Sequence, residues 1–95
     1  MNRERFNKFG LPSYMWDGLE RWVVSGIVPG SFLTAVLKND LRGACEFADD
    51  LNTVCLSNWV KFLYSNAPIG CWGSEKAFKR WESQKAQERI QDGKA

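Results

Sequence analysis

Residues 26–40 read GIVPGSFLTAVLKND, and the punctuation of this stretch decides the fold. Gly26 follows a helical pattern and stands where a C′ glycine belongs. Val28 precedes Pro29 and is biased toward extended backbone. Pro29-Gly30 then turns the chain. Pro29 suits the first helical position or the turn before it, with Ser31 as the alternative N-cap. Phe32, Leu33, Val36 and Leu37 recur at helical spacing. Were that helix to continue, Asp40 would project near the middle of its apolar arc, where a carboxylate needs partners to offset desolvation. The spacing therefore predicts that the helix ends near Lys38 and that Asp40 caps a new one. In that one, Leu41, Ala44, Cys45 and Ala48 follow an i, i+3, i+4, i+7 pattern. Gly43 weakens it by about 1 kcal/mol relative to Ala.

Working outward toward the N-terminus, Met15, Trp16, Leu19, Trp22 and Val23 share one arc of a helix, while Asp17, Glu20, Arg21 and Ser25 face away. A helix is expected over 13–25, with Ser13 as N-cap and acidic residues in its early turns. Residues 1–11 read as a basic N-terminal arm with Phe6, Phe9 and Leu11 as docking points. Toward the C-terminus, Asp49 or Asp50 caps a helix over 50–65. Its apolar residues, Leu51 through Leu63, cover about half the circumference, leaving Thr53, Ser57, Lys61 and Ser65 on the other side with Val54 among them. So wide an apolar face belongs to a central helix with more than one neighbour.

Residues 66–74, NAPIGCWGS, break that helix. The loop is too apolar to be idle and is expected to fold back with Trp72 as a plug. Ser74 caps a last helix through about Gln91. Lys76, Lys79, Arg80, Ser83 and Gln87 line one of its faces, and Ala77, Phe78, Trp81 and the stem of Lys85 the other. The polar tail, 85–95, is expected to fray. No stretch alternates with period two, so the reading is an all-α, compact single domain over 12–84. It is a bundle of four to five short helices with a Pro/Gly-rich loop before the last.

Composition narrows the chemistry. The chain has 95 residues, enough for one domain with a modest core. It spends five positions on tryptophan (Trp16, Trp22, Trp59, Trp72 and Trp81). Each removes about 150–250 Å² from water when buried, so large side chains extend a small core. Net charge is +2, distributed as basic ends around a mildly acidic middle, which usually means solvated termini. The chain contains no histidine, which excludes Ser-His-Asp and Cys-His nucleophile activation and histidine-based metal sites. No glycine-rich loop has P-loop or dinucleotide spacing. Asn39-Asp40 and Asp49-Asp50 read as helix caps rather than metal ligands. Cys45, Cys55 and Cys71 form no CxxC pair, and Cys71 has no base beside it in sequence. Catalytic residues, metal and cofactor are each expected to be absent. Free thiols fit a reducing cytoplasm, and no apolar run is long enough to span a membrane.

The strings PGSFLTAVLKNDL (29–41) and PIGCWGS (68–74), with FADDLN between them, resemble a set of small proteins encoded in tailed-phage and prophage genomes. The resemblance covers about residues 11–81 and carries no catalytic residue across. It implies a phage accessory protein made in a bacterial host cytoplasm, of a kind that commonly binds a host protein and inhibits or redirects it.

The expected function is therefore non-enzymatic binding of a host protein. The candidate contact is the 68–81 region, where Pro68, Ile69, Trp72, Phe78 and Trp81 stand beside Lys76, Lys79 and Arg80, an aromatic centre with a charged rim. Two alternatives stand beside it. One is a small nucleic-acid-binding regulator that uses the basic termini. The other is a homodimeric structural module that buries surplus tryptophan surface against a second copy.

Overall fold

The computed structural model describes the backbone of residues 1–94 and side chains through Gln91. Among these residues there are seven α-helices and no strand, so the chain is all-α. The helices are α1 (Arg3–Lys8), α2 (Trp16–Ser25), α3 (Ser31–Leu37), α4 (Leu41–Phe47), α5 (Asp50–Val54), α6 (Leu56–Asn66) and α7 (Glu75–Lys94).

The local start and stop signals act where the sequence places them. Gly26 ends α2 in the left-handed region at φ 67°. Its N–H donates to the Trp22 carbonyl at 2.9 Å, and that of Ile27 to Arg21 at 3.4 Å, so two carbonyls of the last turn are satisfied at a left-handed glycine cap. Asn39, at φ 60°, takes the left-handed position after α3. The Asp40 carboxylate then accepts from the Gly43 N–H at 3.0 Å and opens α4. Asp49 caps α5 by accepting from Asn52 N–H at 2.9 Å, and Ser74 caps α7 by accepting from Ala77 N–H at 3.0 Å. Ser13 caps nothing: it begins a 3-10 turn over Ser13–Met15, and α2 starts only at Trp16. Ser31 is likewise no cap, because Gly30 holds the N-cap position of α3.

Tertiary structure sharpens or alters four sequence expectations. Residues 1–11 do dock through Phe6, Phe9 and Leu11, and they do so with a short helix. Asn2 caps α1, and Phe6 is fully buried, meeting Trp16, Trp59 and Phe62 edge-on at 5.2, 5.7 and 5.4 Å. The predicted helix over 50–65 is two, because Cys55 (φ −106°, ψ 20°) interrupts it. Gly43 is there for closeness rather than as a defect, since a Cβ would lie 2.4 Å from an Asp40 carboxylate oxygen and 3.2 Å from Ala35 Cβ. It lets α3 and α4 pack as a hairpin.

The fourth concerns the tail. Rather than fraying beyond Gln84, α7 runs to Lys94. Its second half crosses the end of α2 so closely that a Cβ on Gly26 would stand 2.5 Å from Lys85 Cβ. α2 has no basic residue in its own last turn. Arg89 of α7 supplies one, donating to the Ser25 carbonyl, where positive charge favours a helix C-terminus.

The core is one aromatic and aliphatic cluster in which Phe6, Leu19, Trp22, Leu37, Trp59, Phe62 and Leu63 are completely enclosed. Its polar atoms have partners. Buried Asn52 accepts from Trp59 Nε1 at 2.8 Å, which removes the desolvation cost that an unpaired indole N–H would carry. On the surface, the Tyr14 hydroxyl donates to Asp49 and ties the start of α2 to the cap of α5. This bond raises Tyr14 to about 12. It also holds Asp49 below the usual carboxylate range, with help from the Asn52 N–H.

The sign of the pH effect follows. A depressed Asp49 contributes stability at neutral pH that is lost as pH falls through its folded value, and the Tyr14 contribution is lost as pH rises through about 12. Tyr14→Phe should therefore lower Tm at pH 7, and the difference from wild type should vanish under acid conditions that protonate Asp49. Thermal melts of both chains across the acid range check this.

Candidate interaction surfaces

The 68–81 region divides between core and solvent. Pro68 opens a turn closed by Cys71 N–H donating to the Pro68 carbonyl at 3.3 Å. Gly70 takes φ 93° at its third position, as a type II turn requires. Ile69, between them, is 100% exposed. Cys71 then enters the core with no exposed surface, so Cys71 and not Trp72 is the plug. Trp72 is only half-buried.

The loop is pinned at two further points. Trp22 Nε1 donates to the Cys71 carbonyl at 3.0 Å, and Gly73 N–H donates to Leu37 O at 2.8 Å. Burial pushes the Cys71 thiol up to about 11, so it stays protonated at neutral pH and gains nothing as a nucleophile. The Cys55 thiol is raised by the same cause. Cys45 is exposed.

Phe78 and Trp81 serve the fold. Phe78 is buried, stacked on Trp22 with ring centroids 4.2 Å apart and planes 12° from parallel. Lys38 Nζ lies 5.0 Å from the centroid of the Phe78 ring. Trp81 Nε1 donates to the Trp22 carbonyl at 3.1 Å, and Lys85 Nζ sits 4.8 Å from its ring. Neither aromatic is free to anchor a partner. Lys76, Lys79 and Arg80 are exposed, with Lys79 paired to Glu75 at 3.5 Å. Such an exposed i, i+4 pair contributes little to stability but dilutes the local field.

A second surface was not singled out from the sequence. Leu41 of α4, Val54 of α5 and Val60 of α6 are 68%, 86% and 44% exposed. Together with Leu56 they line a groove of about 620 Å³. It shares Leu41, Leu56 and Val60 with a smaller pocket beside Val36 and Ala44. The wide apolar arc of 50–65 was assigned wholly to the core. Trp59, Phe62 and Leu63 do face inward, but nothing among the described residues covers the Val54–Val60 side. The signal available was Val54, an apolar residue set among polar ones.

Among the described residues no group of acidic or cysteine side chains is arranged to hold a metal ion, and no helix is long and apolar enough to cross a membrane. No family model, curated protein or solved structure matches the chain.

Trp22→Phe keeps the stack on Phe78 and removes the bond to Cys71. It should destabilise the chain by about 1–3 kcal/mol for the unpaired carbonyl, with a further loss for the cavity that the smaller ring leaves at this fully buried position. Urea unfolding measures this, and amide exchange should rise first across residues 71–73.

Proposed function

We propose that this chain is a non-enzymatic interaction protein that binds a host protein in the bacterial cytoplasm and inhibits or redirects it. The resemblance to phage accessory proteins supplies the host context. The observation that carries the reading is Ile69: an apolar side chain given wholly to solvent on a turn fixed by the Cys71–Pro68 bond and the Trp22–Cys71 bond. A lone exposed apolar residue on a mobile loop needs no explanation. One held rigid loses little conformational freedom on docking, so more of its burial appears as affinity. Pro68, the half-buried Trp72 and the exposed Lys76, Lys79 and Arg80 follow on the same segment and form the rim of the contact. The partner this suits has an apolar pocket beside acidic residues.

The row Lys76, Lys79 and Arg80 also favours a second reading, contact with nucleic-acid phosphates. That reading predicts a gel shift at low salt that weakens steeply as salt rises.

Tagged wild-type chain should retain a stoichiometric protein from bacterial lysate, and Ile69→Asp should lose it while its circular dichroism and Tm stay unchanged. Equal retention by the variant would remove Ile69 from the contact, and no retained protein from wild type would overturn the reading.

A further inference from the structure

The two halves of α7 are held to the body in unlike ways. The first half is held by apolar contact: Phe78 is buried and stacked on Trp22, and Trp81 packs against the core. The second half has no buried side chain among residues 85–91. Its contacts are mostly polar and gather at one place, the C-terminal end of α2. Arg89 donates to the Ser25 carbonyl. The Lys85 stem passes so near Gly26 that a Cβ there would meet it at 2.5 Å. Lys85 Nζ lies over the Trp81 ring and pairs with Glu88. Contacts of this kind at partly exposed positions each contribute little. A segment held only by them opens at lower free energy than the core beneath it.

We infer that the second half of α7, from Lys85 onward, is a detachable clasp whose docking on the end of α2 tightens the Ile69 turn. The link is a series of direct contacts. Lys85 covers the Trp81 ring, and Trp81 Nε1 donates to the Trp22 carbonyl. Trp22 Nε1 donates to the Cys71 carbonyl. The Cys71 N–H closes the turn that carries Ile69. Opening the clasp uncovers Trp81 and weakens the first of these bonds, and the added freedom passes through Trp22 to the turn. Phe78 keeps Trp22 in place, so the turn loosens without the core coming apart.

The clasp is electrostatic in character. It sets a guanidinium on the carbonyl end of a helix, an attraction that salt screens at an exposed site. Ionic strength therefore shifts the balance between docked and open. Coupling of this kind is reciprocal. A docked clasp presents Ile69 on a rigid turn, and a partner that needs the rigid turn favours the docked clasp. That regulation of binding rests on the function proposed above. The coupling between clasp and turn does not, because it is read in the free chain.

Amide hydrogen exchange of the full chain tests this. Arg89→Glu changes an exposed side chain and sets a negative charge against the end of α2, where it is repelled. Exchange across residues 85–90 should rise while Tm matches wild type. Exchange at 71–73 should rise with it by about two- to five-fold, the size expected for losing one weak exposed contact. Arg89→Lys keeps the charge and should retain most of the protection at both places, and added salt should move wild type toward Arg89→Glu. Unchanged exchange at either 85–90 or 71–73 in Arg89→Glu overturns the inference. So does a lowered Tm with exchange raised throughout the core, which would make the segment an inseparable part of the fold. Failure to capture any lysate protein removes the proposed function and leaves these results standing, so the two fail separately.

Discussion

Trp22, through its side chain and its backbone carbonyl, holds three parts of the molecule in one place. Its ring stacks on Phe78 of α7, its Nε1 donates to the carbonyl of Cys71 in the loop, and its own carbonyl accepts from Trp81. That carbonyl also receives the Gly26 N–H that ends α2. One residue thus fixes the end of its own helix, the loop and the register of the last helix. A small chain gains most from such a residue, because an indole combines a large apolar area with a single donor that must be satisfied when buried. With the donor used on Cys71, the loop is drawn inward and Ile69, at its tip, is turned outward.

The charged residues follow from the same arrangement. On α7, the side facing the body carries Phe78, Trp81 and Lys85, and Lys85 lies along the Trp81 ring while pairing with Glu88 at 3.1 Å. Lys38 lies against Phe78, and Arg89 closes the end of α2. Each places a cation where a ring face or a helix C-terminus favours it. These contacts account for the order of α7 past Gln84. Lys85 and Arg89 of the C-terminal segment are therefore engaged within the fold, which leaves the exposed Lys76, Lys79 and Arg80 to carry any argument for nucleic-acid binding from charge.

Legibility in the sequence tracked the range of the interaction. Asp40, Asp49 and Ser74 each accept from an N–H three residues on, and Gly26 closes on residues four and five back. Such contacts are written locally, and all of these ends could be read. Phe6 could be read as a docking point, but its helix and its partners could not, because six residues of mixed polarity show little periodicity and those partners lie ten or more residues away. The break at Cys55 has neither proline nor glycine to mark it. The length of α7 depends on Ser25 and Gly26, some sixty residues earlier. The apolar face of α7 was identified correctly from its spacing, but spacing does not say whether such a face meets the chain's own core or another molecule. Phe78 and Trp81 meet the core.

That ambiguity is also why the two remaining apolar surfaces differ in what they can bind. Ile69 is a convex point on a locked turn, and its use requires a pocket in the partner. The α4–α6 groove is concave and lined by apolar side chains, and its use requires an apolar ridge in the partner. A single small partner that reads one has no reason to read the other. The fold fixes this division through two closures just before α4: Asp40 starts the helix that forms one wall of the groove, and the Leu37 carbonyl, at the end of α3, holds Gly73 and hence the base of the loop. The stretch that ends at Asp40 thus sets both surfaces while contributing little to the exposed part of either.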